Sequence, residues 1–172
     1  HWNSMLLGVS VLKVMGMKPL RQYPLKGDYL KRDLTRYMRR HKITTARDLD
    51  SAPANPLAAG RIFHILNAQD EALAKRAAQA LFKAYFTEGV NLADHAELKR
   101  IALSCGIDAE TAEKALHDAS LNEAIQRDIY EGVQIGVRGV PFFVFDNKYG
   151  ISGAQPLEVF TRTLEQTYQA SK

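Results

Sequence analysis

The spacing of hydrophobic positions changes twice along this chain. His1-Trp2-Asn3-Ser4-Met5-Leu6-Leu7 alternates like a strand of a sheet. Gly8 to Met15 then reads as a short helix closed by Gly16 and the Lys18-Pro19 turn, because proline disfavours helical angles at the residue before it. A helical period holds from about Gly27 to Gly136. In 27–42, Leu30, Leu34, Tyr37, Met38 and His41 recur on one side, which predicts a packed face, with Lys31, Arg32, Arg36, Arg39 and Arg40 on the other. The stretch 48–56 has loop composition. Helices are predicted over 57–66, over a stripe of Leu73, Ala77, Leu81, Ala84 and Tyr85 ending near Gly89, and over Leu98, Ile101, Ala102 and Cys105 with Gly106 as the stop. Asp108 is the expected cap of the next helix. Ser120 and Glu123 have the spacing of a capping box opening a helix to about Gly136.

Beyond Gly139 the period is lost. Pro141-Phe142-Phe143-Val144-Phe145 is a continuous apolar run between glycine and Asp146-Asn147, so it reads as a buried strand with 148–152 as its hairpin partner. A last helix starts at Pro156, with Leu157, Phe160, Leu164 and Tyr168 as its buried stripe. An isolated hairpin is marginal in water, so residues 1 to about 20 are expected to join 136–172 in one sheet, with the helical block 21–135 as an insertion.

The 172 residues are 46% hydrophobic and 24% charged, which suits ordinary globular structure and excludes disordered, collagenous and coiled-coil classes. No apolar stretch approaches the roughly 18 residues needed to cross a bilayer. No leader pattern opens the chain, so the expectation is a cytoplasmic protein without a membrane partner. Its net charge of +4 is mildly basic. The run Arg36 to Lys42 lies toward a helix C-terminus, where cations meet the dipole favourably, and reads as a solvated face rather than a nucleic-acid site. A single cysteine, Cys105, rules out a Cys-x-x-Cys pair or a multi-cysteine zinc site within these residues, and its apolar neighbours predict a buried structural thiol. The five histidines show no metal-ligand spacing, so no metal is expected.

The strongest local feature is Gly136-Val137-Arg138-Gly139-Val140-Pro141-Phe142-Phe143-Val144. Proline at the head of a strand either breaks a loop or sits in a tight cis entry. In the second case the Val140 N–H and C=O are left to pair with an extended ligand as a strand would.

This segment resembles the cis-proline loop of the thioredoxin-fold DsbA family, whose members carry a helical domain between the second and third strands. Pro24-Leu25-Lys26-Gly27-Asp28-Tyr29-Leu30-Lys31-Arg32-Asp33-Leu34, with Leu6-Leu7-Gly8, Lys13, Gly16 and Lys18-Pro19 before it, resembles 2-hydroxychromene-2-carboxylate isomerases and kappa-class glutathione transferases. The tail, 139–145 with Ser152-Gly153-Ala154-Gln155-Pro156, is closer to DsbA-like dithiol oxidoreductases.

The resemblance implies an α/β fold: a thioredoxin-like sheet from 1–20 and 136–172, a helical insertion domain over 21–135, and a strand and helix expected before His1. The activity it implies is that of a glutathione-dependent isomerase acting on a small-molecule substrate, an aromatic or hydrophobic carboxylate. The alternatives are a DsbA-like thiol-disulfide oxidoreductase and a non-catalytic thioredoxin-like binding module. The catalytic residue, serine or a Cys-x-x-Cys pair, would stand before His1. In the same reading Val140 binds the cysteinyl backbone of glutathione, Pro141 is the cis proline, and Asn55 contacts the ligand. Gly153, Ala154 and Gln155 meet the γ-glutamyl carboxylate at a helix N-terminus. Lys13 matches a substrate-binding lysine, and relatives imply a homodimer by analogy. One departure stands out: the isomerase pattern has an acid where this chain has Gln155 and an arginine where it has Pro156.

Overall fold

The computed structural model describes residues 1–6, 8–13, 16–48 and 50–170, with the backbone alone for Val9, Ser10 and Val11. A π-helical segment, Gly8–Lys13, and a 3-10 turn, Leu20–Gln22, lead into α1 (Pro24–His41). Helices α2 (Leu57–Gln69), α3 (Glu71–Phe82), α4 (His95–Ser104), α5 (Ala109–His117) and α6 (Leu121–Gln134) follow, with a π-helical turn, Lys83–Thr87, extending α3. Strands β1 (Phe142–Phe145) and β2 (Tyr149–Ser152) and a final helix, α7 (Leu157–Ala170), complete the order.

The main core lies between α2, α3, α4 and α5. Ile62, Leu66, Leu98 and Leu116 are its largest fully enclosed side chains, ringed by alanines that let the helices approach closely. Local chemistry sets the helix ends. The Asp70 carboxylate accepts from the Ala72 and Leu73 amides, Asp94 from Ala96, and Asp108 from Thr111, each satisfying amides that a first turn leaves open. Gly89, Gly106 and Gly136 take positive φ where α3, α4 and α6 stop. The predicted cap at Asp108 is therefore present.

The expected capping box is not. Ser120 has helical angles, and its hydroxyl donates to the Asp118 carboxylate at 2.5 Å instead of accepting from the helix. Asp118 also accepts from the Ser120 amide at 2.9 Å, the donor a capping box would have paired with Glu123, while the Glu123 amide bonds the Ser120 carbonyl at 3.2 Å.

Helix α1 begins three residues before the predicted Gly27, with Pro24 in its first turn. Gly27 marks a close approach, since a Cβ there would stand 2.5 Å from the Arg21 carbonyl oxygen. The packed face predicted for this helix is absent: α1 has no buried residue, and its main packing partner is the 3-10 turn. The helical period was right, but a stripe is buried only if another element reaches it, and here the core forms beyond residue 57.

The N-terminal strand is likewise a correction. Residues 1–6 form no strand, Leu7 lies outside the described residues, and the sheet among the described residues has two strands. Leu6 packs with Ile125 and Ile129 of α6, joined by Met5 and Leu57, so its alternating hydrophobics are used against helices. The Gly8–Lys13 segment is helical as expected and also packs on α6, with Gly16 at positive φ after it. Val14 and Met15, the predicted end of that helix, lie outside the described residues.

β1 and β2 form an antiparallel hairpin in the register Phe142–Ser152 to Phe145–Tyr149, turned by Asp146 and Asn147, both at positive φ. The predicted fully buried strand is corrected: Phe143 and Val144 are about two-fifths exposed, whereas Ile151 on β2 is buried. α7 covers one face of the hairpin through Phe160, which meets Phe143 edge-on with ring centroids 4.8 Å apart. Its predicted buried stripe is also corrected, because Leu157, Leu164 and Tyr168 are exposed and Phe160 is half-buried. A helix lying on a two-stranded hairpin has too narrow a platform to cover more.

Candidate functional site at the proline loop

The segment from Gly136 to Pro141 enters β1, and β2 returns beside it to the start of α7. The Val140-Pro141 peptide bond is cis. The Pro141 carbonyl accepts from the Gly153 amide at 2.8 Å, which ties the loop to the residues that precede α7. Gly153 sits at φ +83, a conformation open to glycine at little cost. Val140 is 46% exposed, and among the described residues its N–H and C=O take part in no hydrogen bond. Peptide groups that are unpaired but wet cost little, and they remain free to pair with an extended ligand.

Gln155 turns toward the hairpin. Its side-chain amide donates to the Ser152 carbonyl at 2.8 Å, and its backbone amide bonds the Gly153 carbonyl at 3.1 Å. Ala154, Gln155 and Pro156 are all exposed, and α7 starts at Leu157. Val140, Pro141, Gly153, Ala154 and Gln155 are thus brought into one loop cluster. Lys13 and Asn55 have no hydrogen bond or ion pair with it among the described residues. Lys13 is the exposed last residue of the Gly8–Lys13 segment. The Asn55 side-chain oxygen accepts from the Leu57 amide at 3.1 Å, a turn that leads into α2.

Two features beside this loop escaped the sequence reading. Arg138, two residues ahead of Val140, is exposed and makes no hydrogen bond or ion pair among the described residues, leaving a free guanidinium at the mouth of the loop. Its signal was only its place between two glycines. The edge of β1 facing away from β2 is also unpaired in the two-stranded sheet.

Cys105 follows the last turn of α4, half-buried against the main core and far in sequence from the loop. Four of the five histidines lie on helices, and His1 Nδ1 stands 3.0 Å from Glu71. His64 Nδ1 lies 3.4 Å from Asp128, His117 Nε2 lies 3.1 Å from Glu113, and the His95 and His117 rings meet edge-on at 5.2 Å. Glu113 is held below the usual carboxylate range, chiefly by the hydrogen bond from Lys99.

A half-covered hairpin with a cis-proline entry and a terminal helix against it fits the resemblance drawn from the loop sequence. Comparison with known families agrees: residues 2–165 match the DsbA-like thioredoxin domain, and the chain belongs to that family. Among solved structures it is similar to a probable DsbA oxidoreductase from Streptomyces coelicolor, at 33% identity and a TM-score of 0.62 over 67% of this chain and 49% of that one. It thus spans about half the length of the Streptomyces protein. A 2-hydroxychromene-2-carboxylate isomerase superimposes with a TM-score of 0.80 over 99% of this chain and 82% of that one, at 21% identity, which establishes likeness of fold. Comparison with curated proteins gave no match. No helix among the described residues is long and apolar enough to cross a membrane.

Proposed function

We propose that the Val140-Pro141 loop is a glutathione-binding element and serves the isomerisation of an aromatic or hydrophobic carboxylate in an enzyme of this family. The observation that carries the reading is the exposed, unpaired Val140 peptide group. Its N–H and C=O match the C=O and N–H of the cysteinyl residue of glutathione, two antiparallel hydrogen bonds that set the thiol beside the loop. In the reaction the thiolate adds to a conjugated double bond, the resulting single bond rotates, and elimination regenerates the thiolate and the isomerised alkene. The chain's own share is binding and orientation. Arg138 offers a bidentate donor to a carboxylate, and the backbone ahead of α7 faces the γ-glutamyl end. Lys13 is assigned to the substrate carboxylate and Asn55 to the ligand by family resemblance alone.

Gln155 fits this scheme incompletely. It can hydrogen-bond the γ-glutamyl ammonium but contributes no charge, and its amide is engaged with Ser152. That observation, with the 33% identity to the Streptomyces protein, favours a second reading as a thiol-disulfide oxidoreductase whose loop binds an extended cysteine-containing peptide.

Calorimetric titration with reduced glutathione tests the first reading. Binding is expected, weakened several-fold in Arg138→Gln and tightened in Gln155→Glu, where a carboxylate is restored opposite the ligand ammonium. Absence of binding to glutathione, with measurable binding of a reduced cysteine-containing peptide, overturns it in favour of the second.

A further inference from the structure

Helix α1 concentrates the charge of the molecule. Between Pro24 and His41 it carries six lysines and arginines against two aspartates, a net of +4, and the whole chain has a net charge of +4, so the remainder is close to neutral. The helix also exposes apolar side chains that nothing in the described fold covers. Leu25 is 86% exposed and Tyr29 64%, while Leu34 and Tyr37 are exposed on the opposite side; Met17, Leu20 and Ile43 extend the apolar surface past both ends.

The two properties share a face. Positions 25, 29, 32, 36 and 39 are spaced by three or four residues and therefore form one row along the helix. That row reads Leu25, Tyr29, Arg32, Arg36 and Arg39, with the Arg36 guanidinium 6.0 Å from the centre of the Tyr29 ring. A shallow apolar groove of about 320 Å³, lined by Leu20, Leu25, Lys26, Tyr29, Leu30 and Asp33, borders its first turns. Among the described residues, Lys31 of the helix pairs with Asp50, and the preceding 3-10 turn is tied to the same loop where Arg21 donates to the Ser51 carbonyl at 2.9 Å; neither bond uses a member of the row.

We propose that α1 is an interfacial helix that docks this domain onto a bilayer surface bearing anionic headgroups. Charge complementarity selects an anionic occupant, and the exposed leucines and tyrosine select a lipid one. A phosphodiester chain would engage Arg32, Arg36 and Arg39 but gives Leu20 and Leu25 nothing apolar to enter, whereas the headgroup-acyl boundary takes both kinds of side chain at once. The row runs along the roughly 27 Å of an 18-residue helix, a length that an extended bilayer surface meets throughout. The guanidinium stems lie along the apolar zone while their heads reach lipid phosphate.

The test is co-sedimentation of the full chain with vesicles of phosphatidylglycerol and phosphatidylcholine, against phosphatidylcholine alone, at low and at high salt. Binding is expected to need phosphatidylglycerol and to fall with salt. The triple variant Arg32→Gln, Arg36→Gln, Arg39→Gln should lose about a hundredfold in partitioning, from roughly fivefold for each cation. Leu25→Ser with Tyr29→Ser should weaken binding at least tenfold with every cation retained. None of the five side chains is buried, so circular dichroism of both variants should match the parent. Equal binding to both vesicle types, or no binding to either, overturns the proposal. So does tight binding of a single-stranded oligonucleotide that the triple variant loses and the Leu25, Tyr29 variant keeps, which assigns the face to nucleic acid.

Discussion

Gly60→Ala tests how tightly the N-terminal segment is laid across α2 and α6. Gly60 is a buried residue inside α2, where glycine costs about 1 kcal/mol relative to alanine through the freedom its backbone loses on folding. A Cβ built at this position meets the Ile125 Cδ1 at 3.6 Å and the Ser4 hydroxyl at 3.8 Å, both ordinary van der Waals separations, so the methyl enters without displacing either neighbour. Its burial against Ile125 adds up to about 0.8 kcal/mol. The variant is therefore expected to be more stable by about 1 to 2 kcal/mol, a rise in melting temperature of about 3 to 6 °C for a chain of this length. Thermal melts by circular dichroism and a urea titration with unchanged slope would read it. A lowered melting temperature would overturn this, since it would mean that Ser4 and Ile125 leave no room for a methyl against α2.

Leu66→Ala empties a fully enclosed site in the main core and should cost about 3 to 5 kcal/mol in chemical denaturation, against less than about 1 kcal/mol for Leu157→Ala on the exposed face of α7. Gly150→Ala places a methyl 2.8 Å from the Phe142 ring at the head of β1; the ring must move, and the expected loss is about 1 to 3 kcal/mol, accompanied by shifted amide resonances at Val140 and Phe142. Acid should also weaken the helical block. The Asp108 carboxyl is held below its usual range by hydrogen bonds from the Thr111 hydroxyl and amide, and Asp118 by those from the Ser120 hydroxyl and amide. Their stabilisation is complete above the unfolded carboxylate value, near pH 4, and is lost as pH falls through the lower folded values. Melting temperature should drop below about pH 4, and Asp108→Asn, which keeps the cap without the titration, should flatten that drop.

Much of this protein was legible in its residues because the governing interactions are local. Helical period placed α2 to α6 within a few residues, glycines marked the ends of α3, α4 and α6, and Asp108 was recognisable as a cap because capping involves atoms three residues apart. Gly139-Val140-Pro141 before an aromatic run identified the candidate loop and, by resemblance, the family. The structure then showed what no spacing contains. Val140 is left unpaired while the Gly153 amide takes the carbonyl of Pro141, and Arg138 stands two residues ahead of it. Asp118 takes the Ser120 amide that Glu123 would have accepted ahead of α6, a competition decided by which carboxylate lies nearer.

Periodicity determined which face of α1 and α7 is apolar, but not whether anything covers that face. Leu6 alternates as a strand residue does, yet its packing partners are Ile125 and Ile129, more than a hundred residues away. Burial depends on which elements meet in space, and a pattern along one element carries no record of its partner; only the tertiary structure decided that the core gathers around α2 to α5 while α1 stands open.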